Sequence, residues 1–168
     1  MADVVTLYLV RHAIAEEAGS AWPDDEVRPL SAEGRKKWRK AAAGLALLVP
    51  SLDLVVSSPL LRARQTADLL AAAWASPPPV EDLEALRPEG PPHTVLKRLR
   101  QRGLPARVAL VGHEPSISRL AAALLDAQAE IAFRKGAVMA VTSQGLGSRG
   151  PGRLEWYATP RMLRAIRP

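Results

Sequence analysis

Three short apolar runs, each separated from the next by enough residues for a helix, constrain what this chain can fold into. They are Val4–Val10, Asp53–Ser57 and Arg107–Gly112. None alternates polar with apolar residues. That continuity marks strands buried on both faces, the pattern of a parallel sheet covered by helices. The intervening stretches fit that role. Ser31 offers an N-cap for a helix over 32–49 that Pro50 ends, and Ser58-Pro59 predicts a helix over about 59–75. Ser76-Pro77-Pro78-Pro79 breaks it ahead of a short edge strand within Val80–Leu86. Pro88, Gly90, Pro91 and Pro92 then precede a helix at about 93–102. Pro115 suits the start of a helix over 116–127. Ala137–Thr142 and Arg153–Ala158 form a last pair of strands around a glycine-rich turn. The alternation predicts an α/β three-layer sandwich with a mostly parallel central sheet, in one domain spanning 1–168. Residues 14–30 form a long loop, and long loops in compact domains are usually functional.

The chain has no cysteine, which excludes a disulfide framework, a thiolate nucleophile and cysteine-ligated metal. No secretory signal pattern and no membrane-length apolar stretch occurs, so a cytoplasmic protein without a membrane partner is the default expectation. The formal charge of +6, from 23 Lys and Arg against 17 Asp and Glu, favours anionic ligands. The basic runs at 35–40, 97–102 and 161–167 read as solvated helix faces or a tail. No zinc spacing or aromatic-interleaved basic stripe supports nucleic-acid binding. Trp22, Trp38, Trp74 and Trp156 read as packing residues, and His93 as a surface residue.

Polar groups gather where the apolar runs stop. The first run ends in Arg11-His12-Ala13, the second in Ser57-Ser58 with Arg62 one turn into the next helix, and the third in Gly112-His113. Carboxyl ends of parallel strands share one edge of a sheet, where open α/β folds bind ligands. Two arginines, two histidines and two helix starts would make a pocket for a dianion such as a phosphoryl group.

The stretches Leu9-Val10-Arg11-His12-Ala13, Ser57 to Thr66 and Val111-Gly112-His113-Glu114-Pro115 resemble, in order and spacing, the signatures of the histidine phosphatase superfamily, the phosphoglycerate mutase-like fold. Arg28-Pro29-Leu30-Ser31 and Glu33-Gly34 resemble its small SixA-type phosphohistidine phosphatase branch. The resemblance implies phosphoryl transfer through a covalent phosphohistidine, with His12 as nucleophile and Arg11, Arg62 and His113 clamping the phosphoryl oxygens. It implies neither a metal nor another cofactor. Arg28 and Ser58 become candidate substrate-binding residues, although Ser57 and Ser58 read first as caps.

Departures from the family pattern sharpen the reading. Ala13 replaces the usual glycine. Ala15 and Ala18 stand where larger, mutase-like members carry a hydroxyl and an amide, which argues against a sugar-phosphate mutase. The larger members' general-acid glutamate has no convincing counterpart. Glu84 is the best candidate among Glu81, Glu84 and Glu89. Only about 30 residues separate the second helix from the strand at 107, leaving little room for a cap domain. An open site would suit a phosphoryl group displayed on another protein, so the expected activity is a protein phosphohistidine phosphatase. The alternatives are a small-molecule phosphomonoesterase of the same mechanism and, from a different class, a non-catalytic phosphate- or nucleic-acid-binding module.

Overall fold

The computed structural model describes residues 4–129 and 131–167. Its strands are β1 (Val4–Arg11), β2 (Leu54–Ser57), β3 (Val80–Asp82), β4 (Arg107–Gly112), β5 (Val138–Gln144) and β6 (Arg153–Ala158). They form one sheet in the order β3-β2-β4-β1-β5-β6. The β3–β2, β2–β4 and β4–β1 pairs are parallel, whereas β5 runs antiparallel to both β1 and β6. The sheet is therefore mixed. Its parallel half carries the three strand ends that the sequence singled out, and those ends are in register: Arg11 lies opposite Gly112 and Ser57 opposite Val111.

The helices are α1 (Ala32–Leu48), α2 (Leu61–Ala71), α3 (Pro92–Arg102), α4 (Ser116–Leu125) and α5 (Pro160–Ala165). One core cluster joins Tyr8, Val10, Val55, Ala109 and Val111 to α1, α2 and α5 through Trp38, Leu45, Leu70 and Leu163. On the other face Leu7, Leu9, Val56, Val108 and Leu110 meet α3 and α4 through Leu99, Ile117, Leu120 and Leu124. Both faces of β1, β2 and β4 are thus covered, which explains why their sequences show no polar alternation. No cap domain rises over the sheet edge among the described residues.

Helix α2 differs from its expected span. It begins at Leu61, with Leu60 as its N-cap and no side-chain cap. Ser58 lies ahead of the first turn: its hydroxyl accepts from Leu60 N–H at 3.4 Å and meets the His113 ring at 2.8 Å, and it reaches no N–H of the helix itself. The helix ends at Ala71, where Ala73 N–H and Trp74 N–H bond to Leu70 O and Ala71 O and tighten the final turn. The indole N–H of Trp74 then reaches Val49 O at 2.9 Å. Helix α5 resolves the basic run at 161–167, expected as a solvated helix face or a tail, in favour of a helix. Thr159 caps it, accepting from Met162 N–H, and Pro160 opens it.

The loop after β1 folds back on itself. Ala15 bridges Leu30, Glu16 N–H donates to Pro29 O, and Ser31 N–H donates to Ile14 O. Gly34 lets α1 press against this loop, since a Cβ there would stand 1.9 Å from Ile14 O. The amide of Gln65 on α2 ties the return strand by accepting from Leu30 N–H at 2.8 Å. A 3₁₀ turn at Asp25–Val27 sits at the tip of this clasp.

Candidate active site

Arg11, His12, Arg28, Arg62 and His113 all line one cleft of about 530 Å³ at the carboxyl edge of the parallel strands. His12 follows β1 directly, and its N–H continues the sheet by donating to Gly112 O at 2.9 Å. Its ring Nδ1 lies 2.7 Å from Ala13 O. A carbonyl can only accept, so Nδ1 carries the proton and Nε2 keeps its lone pair. Burial pushes the His12 pKa down to about 3, reinforced by the Arg62, Arg11 and Lys135 charges and opposed by the Ala13 hydrogen bond. The imidazole is therefore neutral, with a fixed tautomer, across the physiological range. Ala13 is held in turn, because its N–H donates to Thr66 Oγ1 and that hydroxyl donates to Arg62 O.

His113 follows β4, its ring centroid 5.2 Å from that of His12. Burial, the neighbouring imidazole and the Arg62 charge push its pKa down to about 2. Ser58 Oγ lies 2.8 Å from its Nε2, while its Nδ1 is buried without a protein partner. Ser58 itself is fully buried and stands behind His113, not on the cleft wall. Of the residues expected at the substrate, Ser58 is therefore placed against the His113 ring and not on the cleft lining.

Arg62 is 4% exposed. It projects from the first turn of α2 and donates to Asp25 O at 2.8 Å and to Asp25 Oδ2 at 2.9 Å. Arg28 Nε donates to Asp25 Oδ1 at 2.6 Å, and Arg28 Nη1 donates to Glu16 O at 2.7 Å. These two guanidinium groups hold the Asp25 carboxyl below its usual range. Arg11 reaches across the sheet to Phe133 O at 2.6 Å, and Gly136 N–H donates to both Arg11 O and His12 O. These contacts fix the segment that brings Lys135 to the cleft.

Glu84 is not brought to the site. It lies in a 3₁₀ turn, its carboxylate is bound to Arg87 at 2.5 Å, and its side chain is 74% exposed. The carboxylates that do line the cleft are Glu16, Glu17, Asp25 and Glu114. Glu114 accepts from Ser118 Oγ and from Phe133 N–H, so it buttresses the wall. Sequence reasoning missed Asp25, Thr66, Glu114 and Lys135. Asp25 had one available signal, standing three residues before Arg28 in a loop already expected to be functional. Among the described residues no group of histidines and carboxylates is arranged to hold a metal ion. No helix among them is long and apolar enough to cross a membrane.

Comparison with known proteins agrees with this geometry. The model of the histidine phosphatase superfamily (branch 1) matches residues 7–88. The chain is 30% identical to the phosphohistidine phosphatase SixA of Escherichia coli K12 over 166 residues, covering 95% of this chain and 99% of that protein. It is 37% identical over 124 residues to an uncharacterized protein of Picosynechococcus sp., covering 73% of this chain and 74% of the other. Among solved structures, the protein histidine phosphatase SixA complexed with tungstate superposes with a TM-score of 0.81 at 28% identity, over 94% of this chain and 98% of that one. With relatives matched along nearly the whole chain and two histidines and three arginines gathered in one cleft, the protein belongs to the histidine phosphatase superfamily, as a phosphatase of the SixA type.

Proposed function

We propose that this phosphatase removes the phosphoryl group from phosphohistidine on a protein, through a covalent phosphohistidine on His12. The observation that carries the reading is the 2.7 Å contact from His12 Nδ1 to Ala13 O, which leaves Nε2 as an unprotonated nucleophile inside a cleft of cationic side chains. His12 Nε2 attacks phosphorus in line, the bond from phosphorus to the leaving group breaks, and water then attacks the phosphohistidine to release phosphate and restore His12. Arg11 and Arg62 offset charge on the phosphoryl oxygens. When Ser58 donates to Nε2 of His113, its free Nδ1–H is a further donor. Positioning and fixed charge of this kind supply most of the catalysis in phosphoryl transfer.

Two features favour a phosphoimidazole on a protein. The cleft is not roofed by a cap domain among the described residues, so a displayed side chain has access. Among the described residues no buried carboxylic acid is poised to protonate a leaving alkoxide: Asp25 is held ionised, Glu114 is engaged in the wall, and Glu84 lies outside. A phosphoimidazole needs less help, because it departs as neutral imidazole once its ring is protonated. A specific observation keeps a small phosphomonoester as the second reading: Glu16 and Glu17 line the rim and would be the available acids. The test is incubation with a phosphorylated histidine phosphotransfer domain beside a panel of small phosphoesters, with trapping of acid-labile label on the enzyme. The expected result is dephosphorylation of the domain and a label abolished in His12→Ala. Turnover of the esters with the domain left untouched would assign the second reading.

A further inference from the structure

The cleft already contains an anion of the protein's own. The Asp25 carboxylate places Oδ1 2.6 Å from Arg28 Nε and Oδ2 2.9 Å from Arg62 Nη2, bridging two cations of the phosphoryl site. We infer that Asp25 is a resident counter-anion, which an entering phosphoryl group displaces from Arg62 and Arg28 and which reclaims them when phosphate leaves. This inference rests on the reading of the cleft as a phosphoryl site.

The contacts are arranged so that only the carboxylate has to move. Arg62 Nη1 is separately held by the main-chain carbonyl of Asp25 at 2.8 Å, and Arg28 Nη1 by Glu16 O at 2.7 Å. Rotation of the Asp25 side chain would leave both guanidinium groups tethered in place. The Asp25 side chain is 53% exposed, so its ion pairs are screened by water and can be broken at modest cost. A phosphoryl dianion has twice the charge and also meets Arg11 and His113, so it outcompetes the carboxylate. The same competition favours release of inorganic phosphate, the product, because the arginines are never left without a partner.

Inorganic phosphate is the probe. Its binding to the wild-type chain, Asp25→Asn and Asp25→Ala is measured by calorimetry, together with its inhibition of turnover as product. Both variants should bind phosphate on the order of tenfold more tightly than wild type, as expected for removal of a half-exposed competing charge. The inhibition constant should fall by the same factor. Equal or weaker phosphate binding in both variants, at unchanged thermal midpoint, overturns the inference and makes Asp25 an orienting partner of Arg62. If wild type and variants alike fail to bind phosphate, the phosphoryl site itself is refuted and the inference falls with it. Tighter binding that survives Arg62→Lys unchanged also overturns it, because the phosphate would then lie elsewhere.

Discussion

Burying two neutral histidines beside cationic side chains should cost this protein its stability in mild acid. Both folded-state pKa values lie far below the usual histidine value near 6.5, at about 3 for His12 and about 2 for His113. Between those values and 6.5 the unfolded chain binds protons that the folded chain refuses, so stability is full above the unfolded value and is lost as pH falls through that window. At pH 5 an unfolded histidine is about 97% protonated, and the linkage amounts to about 2 kcal/mol per histidine relative to pH 7. The figure depends little on the folded value once that lies below about 4. The pair therefore accounts for roughly 4 kcal/mol, a large share of the stability of an ordinary domain. The assay is urea unfolding in phosphate-free buffer at pH 7 and pH 5, for wild type, His12→Gln and His113→Gln. Each variant should lose about half of the pH dependence. If both variants retain the wild-type difference between the two pH values, the histidines are not held neutral by burial and the reasoning fails.

Other expectations follow from single contacts. Nitrogen NMR of the His12 ring should show the neutral tautomer protonated at Nδ1 down to pH 5; an imidazolium at pH 6 would contradict the geometry. Ser58→Ala should lower kcat/KM on the order of tenfold with little change in KM, because His113 loses the partner of its Nε2. A fall carried entirely by KM would return Ser58 to the substrate. Thr66→Val should destabilise by about 1–3 kcal/mol in urea unfolding, since the buried Ala13 N–H loses its acceptor. Gly34→Ala should weaken activity along with stability, because the new Cβ has to push back the Ile14 carbonyl and the loop carrying Asp25 and Arg28.

The parallel half of the fold was legible because its strands are buried on both faces, a condition that writes itself as unbroken apolar runs. The site was legible for a related reason: Arg11, His12 and His113 stand at the carboxyl ends of the first and third runs, and Arg62 follows the end of the second by one turn. Less could be read where a side chain's partner is remote. Ser58 matched a helix cap by local spacing, and only the 2.8 Å approach of His113, 55 positions later, gives its hydroxyl another use. Glu84 was chosen by its place in the chain, but Arg87 three residues away captures it at the surface. Asp25 belongs to a loop whose path is set by Gln65 and Gly34, and neither residue advertises that duty in sequence. The final helix was hidden by brevity, its Thr159-Pro160 start being overshadowed by the arginines that follow.

Strand β1 lies between β4 and β5, so its neighbours in the sheet come from about 100 and 130 positions further along the chain. During synthesis the segment bearing Arg11 and His12 emerges long before either flanking strand exists. Until both arrive, an apolar strand with two open edges waits for closure entropy to be overcome, a setting for slow folding and for association with other chains. The Arg11 bond to Phe133 O and the Gly136 clasp on His12 complete the site only when that late segment docks. The cleft around His12 is thus incomplete until residues from both ends of the chain have come together.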